Sequence, residues 1–385
     1  MEQRSDIGQI LAEGEGDPSL VSDPTILPDR AIKGRGALSN RSGRFERFSN
    51  ERVHDGWDGE DHERFYTPKQ HQTRVIFDAS KTVIARNQSP DVPFDRSVNP
   101  YRGCEHGCIY CFARPTHAWL GCSPGLDFET KLFVKPNAAE LLRGEISRKG
   151  YQVAPLALGT NTDPYQPLER ERRITRSILE VLSEFNHPVM IVTKSDLVVR
   201  DLDILAPMAE KGLARVGISV TTLDRELSRT LEPRAPRPDK RLDALRKCSM
   251  AGVPTTILVS PIIPAINDHE IETILEQAAA LGVEAATYAL LRLPMEIKDL
   301  VVEFLQSHFP DRADRVLSLV RQTRKGAFYQ AEFGKRIRGE GPYAEMIAQR
   351  FRIACQRLDL KRNSEDLNLS RFAVPEVPEA QMSLF

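Results

Sequence analysis

Three cysteines lie close together in the segment NPYRGCEHGCIYCFARPTHAW, residues 99–119. They are Cys104, Cys108 and Cys111, in the spacing C-x3-C-x2-C, and they make up half of the six cysteines in the chain. Thiolates are nucleophiles and ligands for soft metals. In a reducing compartment, such a group indicates a metal centre or a catalytic site before it indicates disulfides.

Two kinds of metal centre fit these three cysteines. A zinc ion would need His106 or His117 as its fourth ligand, but structural zinc sites commonly use two separated pairs of ligands. A [4Fe–4S] cluster held by three cysteines keeps one iron open for a cosubstrate. The remaining cysteines, Cys122, Cys248 and Cys355, stand alone, and isolated cysteines are usually small core residues.

Short apolar runs alternate with amphipathic stretches from about residue 73 onward. The runs predict strands at 97–103, 154–160, 188–194, 214–220, 255–263 and 285–291. The stretches between them predict helices at 138–149, 175–185, 202–211, 240–252 and 269–282. This alternation predicts an α/β fold with a parallel sheet. Six units are too few for a closed eight-stranded barrel, so either an open partial barrel or a doubly wound sheet fits.

The cysteine segment follows the first predicted strand. In barrel-like α/β folds, chemistry takes place at the carboxyl ends of the strands. The sequence CEHGCIYC, with Tyr110 before the third cysteine, resembles the signature of the radical S-adenosylmethionine superfamily. The resemblance implies a partial (β/α)6 barrel, a [4Fe–4S] cluster on the three cysteines and S-adenosylmethionine on the open iron. It also implies cleavage to a 5′-deoxyadenosyl radical, with a flavodoxin or ferredoxin-type protein as electron donor.

Within that superfamily the chain resembles spore photoproduct lyase and an uncharacterised bacterial group related to it, often described as DNA repair photolyase-like. The resemblance covers about residues 33–360. It rests on NPYRGCEHGCIYCFARPTH, GTNTDPYQPLER, TKSDLVVRDLDILA, LEPRAPRP and LLRLPMEIKDL.

This resemblance implies a binding site for S-adenosylmethionine. It places Thr162 and Asp163 near the amine, Lys194 and Ser219 near the carboxylate or ribose, and Tyr110 beside the adenine. Each of these residues taken singly also has an ordinary structural role, such as fixing a turn or filling the core.

Two positions depart from the lyase pattern. The lyase carries a hydrogen-donating cysteine at the end of the second strand, where Thr160 stands in this chain. It also carries a tyrosine after the third cluster cysteine, where Phe112 stands. Neither the strong O–H bond of threonine nor a phenyl ring replaces these hydrogen donors. We therefore expect a substrate other than spore photoproduct and leave the catalytic residues unassigned.

The predicted elements suggest three regions. Residues 1–72 are polar and predict a largely disordered arm, in which 27–46 is either a solvated linker or a strap over the core. Residues 73–295 predict the partial barrel. Residues 296–385 predict a helical C-terminal extension with a basic segment and a flexible tail. For residues 27–46 of the N-terminal arm, composition alone favours the solvated linker over the strap.

Bulk composition excludes some classes of protein. The net charge of −1 gives no global attraction to nucleic acid or membrane. No apolar run approaches the roughly 20 residues that span a bilayer, and the acidic N-terminus does not resemble a signal peptide. These features predict a cytoplasmic protein without a membrane partner.

Charge is nevertheless concentrated in one place. Residues 321–362 hold 11 Lys or Arg against four Asp or Glu, a net charge of +7. Such a segment predicts either a nucleic-acid surface, with Phe328, Tyr329 and Phe333 stacking on bases, or a helical lid with a solvated basic face. Arg234 and Arg292 could hold a carboxylate or phosphate, or form structural pairs with Glu169 or Glu232.

Three functions therefore stay open at this point. They are a radical enzyme acting on nucleic acid or nucleotides, a radical enzyme acting on a peptide or metabolite, and a non-catalytic zinc or iron–sulfur nucleic-acid-binding protein. The sequence identifies neither the substrate nor the oligomeric state.

Overall fold

The computed structural model describes residues 33–46, 72–362 and 366–376. Its strands are β1 (Arg74–Phe77), β2 (Ile84–Arg86), β3 (Arg96–Val98), β4 (Tyr101–Arg102), β5 (Lys131–Val134), β6 (Leu156–Leu158), β7 (Val189–Thr193), β8 (Ala214–Ser219), β9 (Thr255–Ile262) and β10 (Ala285–Leu290). Its α-helices are α1 (Asp127–Thr130), α2 (Ala138–Ile146), α3 (Glu169–Arg172), α4 (Ile174–Glu184), α5 (Leu202–Glu210), α6 (Arg225–Leu231), α7 (Pro238–Met250), α8 (Ile271–Ala280), α9 (Ile297–His308), α10 (Pro310–Gln322) and α11 (Pro342–Arg357). Short 3-10 helices span Arg114–Leu120, Asp196–Asp201 and Asp268–Glu270.

Seven strands form the main sheet, in the order β10-β9-β8-β7-β6-β3-β2. In this sheet, neighbouring strands run parallel from β10 through β9, β8, β7 and β6 to β3. Only β2, at the edge, is antiparallel to its neighbour, β3. The sheet stays open, because β2 and β10 form its two edges. The prediction of a partial (β/α)6 barrel in an α/β fold is thus confirmed.

Helices form between these strands because each carries an apolar stripe of helical period. In α4, for example, Ile178, Leu179 and Leu182 are fully buried against the sheet. After α7 and α8 the chain turns through Gly252 and Gly282, whose φ angles are +73° and +80°. A left-handed residue at this position ends a helix, and glycine adopts it without steric cost.

A second, three-stranded sheet lies beside the main sheet, in the order β1-β5-β4. The sequence pattern does not predict it, because its strands are only two to four residues long. It matters for the site because β4 and β5 flank the cysteine segment in the chain.

The helical C-terminal extension, α9 to α11, packs on the barrel. In α11, Ala344, Ile347, Phe351 and Ala354 belong to the same buried cluster as the sheet. The Phe351 ring lies 4.6 Å from that of Tyr288 in β10, measured between centroids. α11 therefore shares one core with the sheet, whereas the buried apolar residues of α9 and α10 belong to a second cluster. None of the helices in the described part of the chain is long and apolar enough to cross a membrane.

Part of the predicted N-terminal arm is packed against the barrel. We call residues 35–41 the strap. Ala37 and Leu38 are buried in it, and the Ser39 hydroxyl donates a hydrogen bond to Glu303 in α9 at 2.7 Å. The solvated-linker interpretation is thus wrong for the strap, because its backbone and side chains have specific partners. The prediction of disorder for residues 1–32 and 47–71 lies outside the described residues.

We predict that Phe351→Ala lowers the free energy of unfolding by about 3–5 kcal/mol, because it leaves a cavity between α11 and the sheet. Chemical denaturation of the full chain measures this. Ile353→Ala is the matched control, since Ile353 in the same helix is half exposed and should cost about 0.5 kcal/mol or less. Separate unfolding of α11 at wild-type barrel stability would contradict a shared core.

Candidate functional site

The three predicted cysteines lie on one loop, residues 103–111, between β4 and the 3-10 helix Arg114–Leu120. We call it the cysteine loop. Cys104 and Cys108 are buried, Cys111 is half buried, and all three thiols are free. The loop begins at Gly103 and turns at Gly107, whose φ angles of +80° and +68° favour glycine.

A buried arginine holds the backbone of the cysteine loop. Arg114 donates hydrogen bonds to the carbonyl oxygens of Cys108 at 2.9 Å and Gly107 at 3.2 Å. It also pairs with Glu129 of α1 at 2.5 Å, and neither side chain is exposed. An uncompensated charge at this depth would be very costly, so each partner requires the other.

The same glutamate fastens the strap. Its two carboxylate oxygens accept hydrogen bonds from the backbone amides of Gly36 at 3.0 Å and Ala37 at 2.9 Å. A Cβ atom at Gly36 would lie 1.8 Å from the Gly107 carbonyl oxygen, so only glycine allows this contact. The strap therefore lies directly on the cysteine loop.

Two further segments hold the loop. The Gln166 side chain accepts from the Glu105 amide at 2.9 Å and donates to the Gly103 carbonyl at 3.2 Å. From the LEPRAPRP segment and the helix before it, Arg234 N donates to His106 O at 3.2 Å, and Leu231 O accepts from Ile109 N at 3.1 Å. The loop is thus fixed on several sides by backbone contacts, which preorganises its thiols.

The residues predicted to contact S-adenosylmethionine follow the parallel strands at this edge of the sheet. Asp163, after β6, accepts hydrogen bonds from the Thr193 hydroxyl at 2.6 Å and the Lys194 amide at 2.8 Å. Thr162 donates its hydroxyl hydrogen to the Tyr101 carbonyl at 2.9 Å. Burial alone would raise the pKa of Asp163, but His106, Thr193 and the Lys194 amide together lower it to about 2.

Tyr110 and Lys194 lie beside one another. The ammonium of Lys194 is 5.7 Å from the centroid of the Tyr110 ring. The Tyr110 hydroxyl donates to Glu232 and lies 3.2 Å from the Thr221 hydroxyl oxygen. Lys194 is half buried and, within the described residues, has no carboxylate in ion-pair contact.

Glu232 is fully buried and pairs with Arg241. Burial opposes ionisation of Glu232, but Arg241 and then Lys194 lower its pKa to about 2, so it is a carboxylate at neutral pH. Arg241 also donates to the carbonyl of Ser219 at 3.2 Å. The structure therefore connects Tyr110, Lys194 and the end of β8 through one buried charged network.

The donor set of the cysteine loop suits a cationic cluster. Burial raises the pKa of Cys108 to about 12, and burial with the nearby Asp163 carboxylate raises the pKa of Cys104 well above its usual value. These thiols need a strong positive charge to become thiolates, and bound iron supplies it. The fit is to a metal cluster rather than to a free nucleophilic thiolate.

In the described part of the chain, each of the two histidines that would complete a zinc site has a buried Nδ1 atom without a hydrogen-bond partner. His117 lies 2.9 Å from the Lys131 carbonyl through Nε2, and burial lowers its pKa to about 4. His106 Nδ1 lies 3.4 Å from an oxygen of Asp163. Among the described residues, no three His, Cys, Asp or Glu side chains converge as ligands of a single metal ion. In a [4Fe–4S] cluster each cysteine binds a different iron.

The arginines singled out from the sequence have different surroundings. Arg234 forms an ion pair with Glu105 at 3.1 Å rather than with Glu169 or Glu232, the partners expected from the sequence. Glu169 pairs with Arg200 instead, at 2.9 Å. Arg292 stacks on Phe112, with its guanidinium carbon 4.3 Å from the ring centroid.

The basic segment 321–362 is less open than its composition suggests. Carboxylates from outside the segment pair with Arg336, Arg350 and Arg357, and these three pairs offset part of its net charge. Lys325 and Lys335 pair with Glu340 and Glu332, which the net charge already includes. Phe328 packs against a buried cluster between Arg321 and Lys298. A nucleic-acid surface along the whole segment stays a prediction.

Sequence reasoning missed the residues that fix the loop: Gly36, Arg114, Glu129 and Gln166. Arg114 and Gln166 lie inside motifs that were recognised, but nothing in the motifs distinguished their side chains as buried supports. Gly36 and Glu129 are far apart in sequence, and only the fold brings them together.

Comparison with known proteins agrees with this geometry. The sequence profile of the Radical SAM superfamily matches residues 98–278. An uncharacterised protein of Mycobacterium tuberculosis, Rv2578c, is 36% identical over 243 residues, which are 62% of this chain and 72% of that protein. A protein of Pseudomonas phage M6 is described as a radical SAM Nalpha-GlyT isomerase. It is 24% identical over a stretch that covers 60% of this chain and 46% of the phage protein.

Among solved structures, spore photoproduct lyase complexed with dinucleoside spore photoproduct superimposes with a TM-score of 0.52. The match covers 74% of this chain and 79% of the lyase at 16% identity, and it therefore shows the fold alone. Fold and site together define a partial-barrel protein with a three-cysteine loop at the carboxyl edge of its sheet. The chain belongs to the Radical SAM superfamily.

We predict that Gly36→Ala displaces the strap, because the added methyl group cannot coexist with the Gly107 carbonyl. In the cluster-free chain, Cys104 and Cys108 should then react at least about tenfold faster with a thiol reagent, as local opening becomes easier. Mass spectrometry of labelled peptides follows each cysteine separately.

Gly34→Ala is the matched control in the same segment. Its φ angle is also positive, +79°, but a Cβ atom there meets no neighbour. Equal labelling rates for both variants would show that the strap does not cover the loop.

Proposed function

We propose that this chain is a radical S-adenosylmethionine enzyme that binds a [4Fe–4S] cluster through Cys104, Cys108 and Cys111. In this proposal it cleaves S-adenosylmethionine reductively and abstracts a hydrogen atom from a substrate still to be identified. The observation that carries the proposal is the buried three-thiol loop, preorganised at the carboxyl edge of a parallel sheet. Membership of the superfamily supports it.

The reduced cluster, when bound, supplies the electron that splits S-adenosylmethionine into methionine and a 5′-deoxyadenosyl radical. The protein's own part is to bind, orient and shield. Burial of Cys104 and Cys108 under the strap limits access of water and oxygen to the site. Arg114 and Gln166 hold the loop at fixed positions, so that little ordering is needed when ligands bind.

The neighbouring side chains are assigned roles toward the sulfonium cosubstrate. Lys194, a half-buried cation without an ion-pair partner among the described residues, is suited to the methionine carboxylate. Ser219, at the end of the next strand, is assigned to the carboxylate or ribose. The Tyr110 ring, held by Glu232, offers a flat surface beside which the adenine can lie.

Thr162 and Asp163 are assigned to the amine end of the cosubstrate. Asp163 is ionised at neutral pH, as its lowered pKa of about 2 requires, and it can attract an ammonium group. Both of its oxygens already accept hydrogen bonds from the β7 end of the sheet. These hydrogen bonds fix the orientation of the Asp163 carboxylate, so it would not need to turn in order to contact the amine.

An external one-electron donor of the flavodoxin or ferredoxin type completes the proposed activity. The cytoplasm is the compartment proposed, since all six cysteines are free thiols. As to substrate class, the lyase that shares the fold is described in complex with a dinucleoside, and one relative is described as a radical SAM isomerase. These names support a radical reaction and favour a nucleotide substrate over a peptide.

The ligand assignment predicts that Cys104→Ala, Cys108→Ala and Cys111→Ala each abolish the broad absorption at about 400 nm after anaerobic reconstitution. They should also abolish formation of 5′-deoxyadenosine, because the cluster loses one of its three anchors. Absorption spectroscopy and liquid chromatography measure the two effects.

Cys122→Ala is the control, since Cys122 lies outside the loop and its thiol lies 3.7 Å from the Leu120 carbonyl oxygen. It should keep both properties. Loss of the cluster in this variant would show that the ligand set is incomplete. Colourless wild-type protein holding one zinc ion would favour a non-catalytic binding protein instead.

The two departures from the lyase pattern predict no turnover of spore photoproduct. Thr160 follows β6 and lies 3.3 Å from the Asn99 amide nitrogen, and neither it nor Phe112 can donate a hydrogen atom as thiol or phenol does. Reduced, reconstituted enzyme incubated with dinucleoside spore photoproduct should release no thymine dinucleoside above the enzyme-free level. Detected release would overturn this expectation.

A further inference from the structure

An arginine, Arg292, lies at the rim of the site, and no carboxylate of the described residues forms an ion pair with it. Arg292 follows β10, so it stands at the same edge of the sheet as the cysteine loop. Its side chain is half buried, and within the described residues it forms neither an ion pair nor a hydrogen bond. Burial lowers its pKa, and the Tyr329 and Cys111 side chains lie near enough to oppose that shift.

A second guanidinium lies close to the first. Arg324 is almost fully buried and donates to the carbonyl oxygens of Leu291 at 3.1 Å and Lys335 at 2.7 Å. Its Nε atom is buried without a hydrogen-bond partner. Burial, followed by the repulsion of Arg292, lowers the pKa of Arg324 to about 10.

The nearby carboxylate is already committed. Asp91 acts on Arg292 at a distance, but it pairs with Arg336 and accepts a hydrogen bond from the Gly334 amide. The described residues around Arg292 and Arg324 therefore hold an excess of positive charge in a partly buried place. Such an excess is stable when an anion from outside completes it.

An aromatic surface adjoins this cationic place. Phe112 directly follows the cluster cysteine Cys111, and its side chain is 45% exposed although Arg292 covers part of the ring. The exposed part of the ring is open to a molecule that binds beside the cysteine loop. It offers a stacking surface within reach of any substrate that approaches the cluster.

We propose that Arg292 and Phe112 form the substrate-binding subsite of the enzyme and that it takes one nucleotide unit of a single-stranded nucleic acid. The guanidinium holds the phosphate through two parallel hydrogen bonds, and the exposed part of the phenyl ring stacks on the base. This inference rests on the proposed function and names its substrate class. A peptide carboxylate would use the arginine but leave the phenyl ring unexplained.

The test measures binding without radical chemistry. Full-length, anaerobically reconstituted protein is titrated into a fluorescein-labelled thymidine hexanucleotide without reductant, and fluorescence anisotropy gives the dissociation constant. Arg292→Gln should weaken binding about tenfold or more, since a charge-assisted contact is lost. Arg292→Lys should give an intermediate loss, because lysine keeps the positive charge but cannot form the two parallel hydrogen bonds of a guanidinium. Phe112→Leu should weaken binding about fivefold or more.

Arg148→Gln is the matched control. Arg148 is exposed between α2 and β6, at the amino edge of the sheet and outside the basic segment. Its replacement removes the same charge at the edge opposite the cysteine loop, so the dissociation constant should stay at the wild-type value. Circular dichroism confirms that each variant is folded before binding is compared. If Arg292→Gln and Phe112→Leu bind the oligonucleotide as well as wild type does, the inference is overturned. Arg292-dependent binding of a labelled hexaglutamate peptide, with no such binding of the oligonucleotide, overturns it too.

A separate assay keeps the two proposals apart. Formation of 5′-deoxyadenosine by reduced wild-type protein tests the proposed function without using the oligonucleotide. If the protein cleaves S-adenosylmethionine but the Arg292 and Phe112 variants bind the oligonucleotide as well as wild type does, only the subsite is refuted. Binding that depends on both residues in a protein that never cleaves S-adenosylmethionine supports the subsite and refutes the radical chemistry.

Discussion

The ion pair between Arg114 and Glu129 is the interaction on which the site depends. Both side chains are completely buried, and between them they contact the cysteine loop and the strap. Removing one partner of such a pair typically costs about 3–5 kcal/mol, because the other charge is left buried and alone. The pair therefore ties the cysteine loop and the strap to one another. It selects one conformation for a loop that has little regular structure of its own.

The parallel sheet supplies the second constraint. Its strands end at a common edge, so side chains far apart in sequence, such as Asp163, Lys194 and Arg292, come to lie around the cysteine loop. The buried Glu232–Arg241 pair extends this arrangement inward by fixing the Tyr110 hydroxyl. The site thus depends on two buried ion pairs. Arg114–Glu129 holds the backbone of the cysteine loop, and Glu232–Arg241 holds the hydroxyl of Tyr110.

Much of this organisation could be predicted from the sequence. Short apolar runs located five of the six parallel strands, and amphipathic stretches located the five helices between them, to within a few residues. The first predicted strand, 97–103, is divided between β3 (Arg96–Val98) of the main sheet and β4 (Tyr101–Arg102) of the second sheet. The three cysteines were identified by spacing alone. Their metal-binding role is supported by their common loop, and the roles of Tyr110, Thr162, Asp163, Lys194 and Ser219 toward S-adenosylmethionine stay predictions.

What the sequence could not give was long-range pairing. Gly36 touches Gly107, and Glu129 joins the strap to Arg114, yet none of these residues is distinguished by periodicity or by local propensity. Composition also overstated the free positive charge of the segment 321–362, because carboxylates distant in sequence pair with some of its arginines. Arg336 and Arg350 contribute to an apparently basic segment, but Asp91 and Glu272 pair with them from other parts of the fold.

The proposed site has three protein thiolates that hold the cluster and leave one iron for the sulfonium cosubstrate. Electron paramagnetic resonance of the reduced, reconstituted protein, recorded with and without S-adenosylmethionine, examines that iron itself. We expect the g-values of the cluster to shift when the cosubstrate is added, because its amine and carboxylate would bind the open iron. An identical spectrum in both samples, with a fourth protein ligand on that iron, would contradict it.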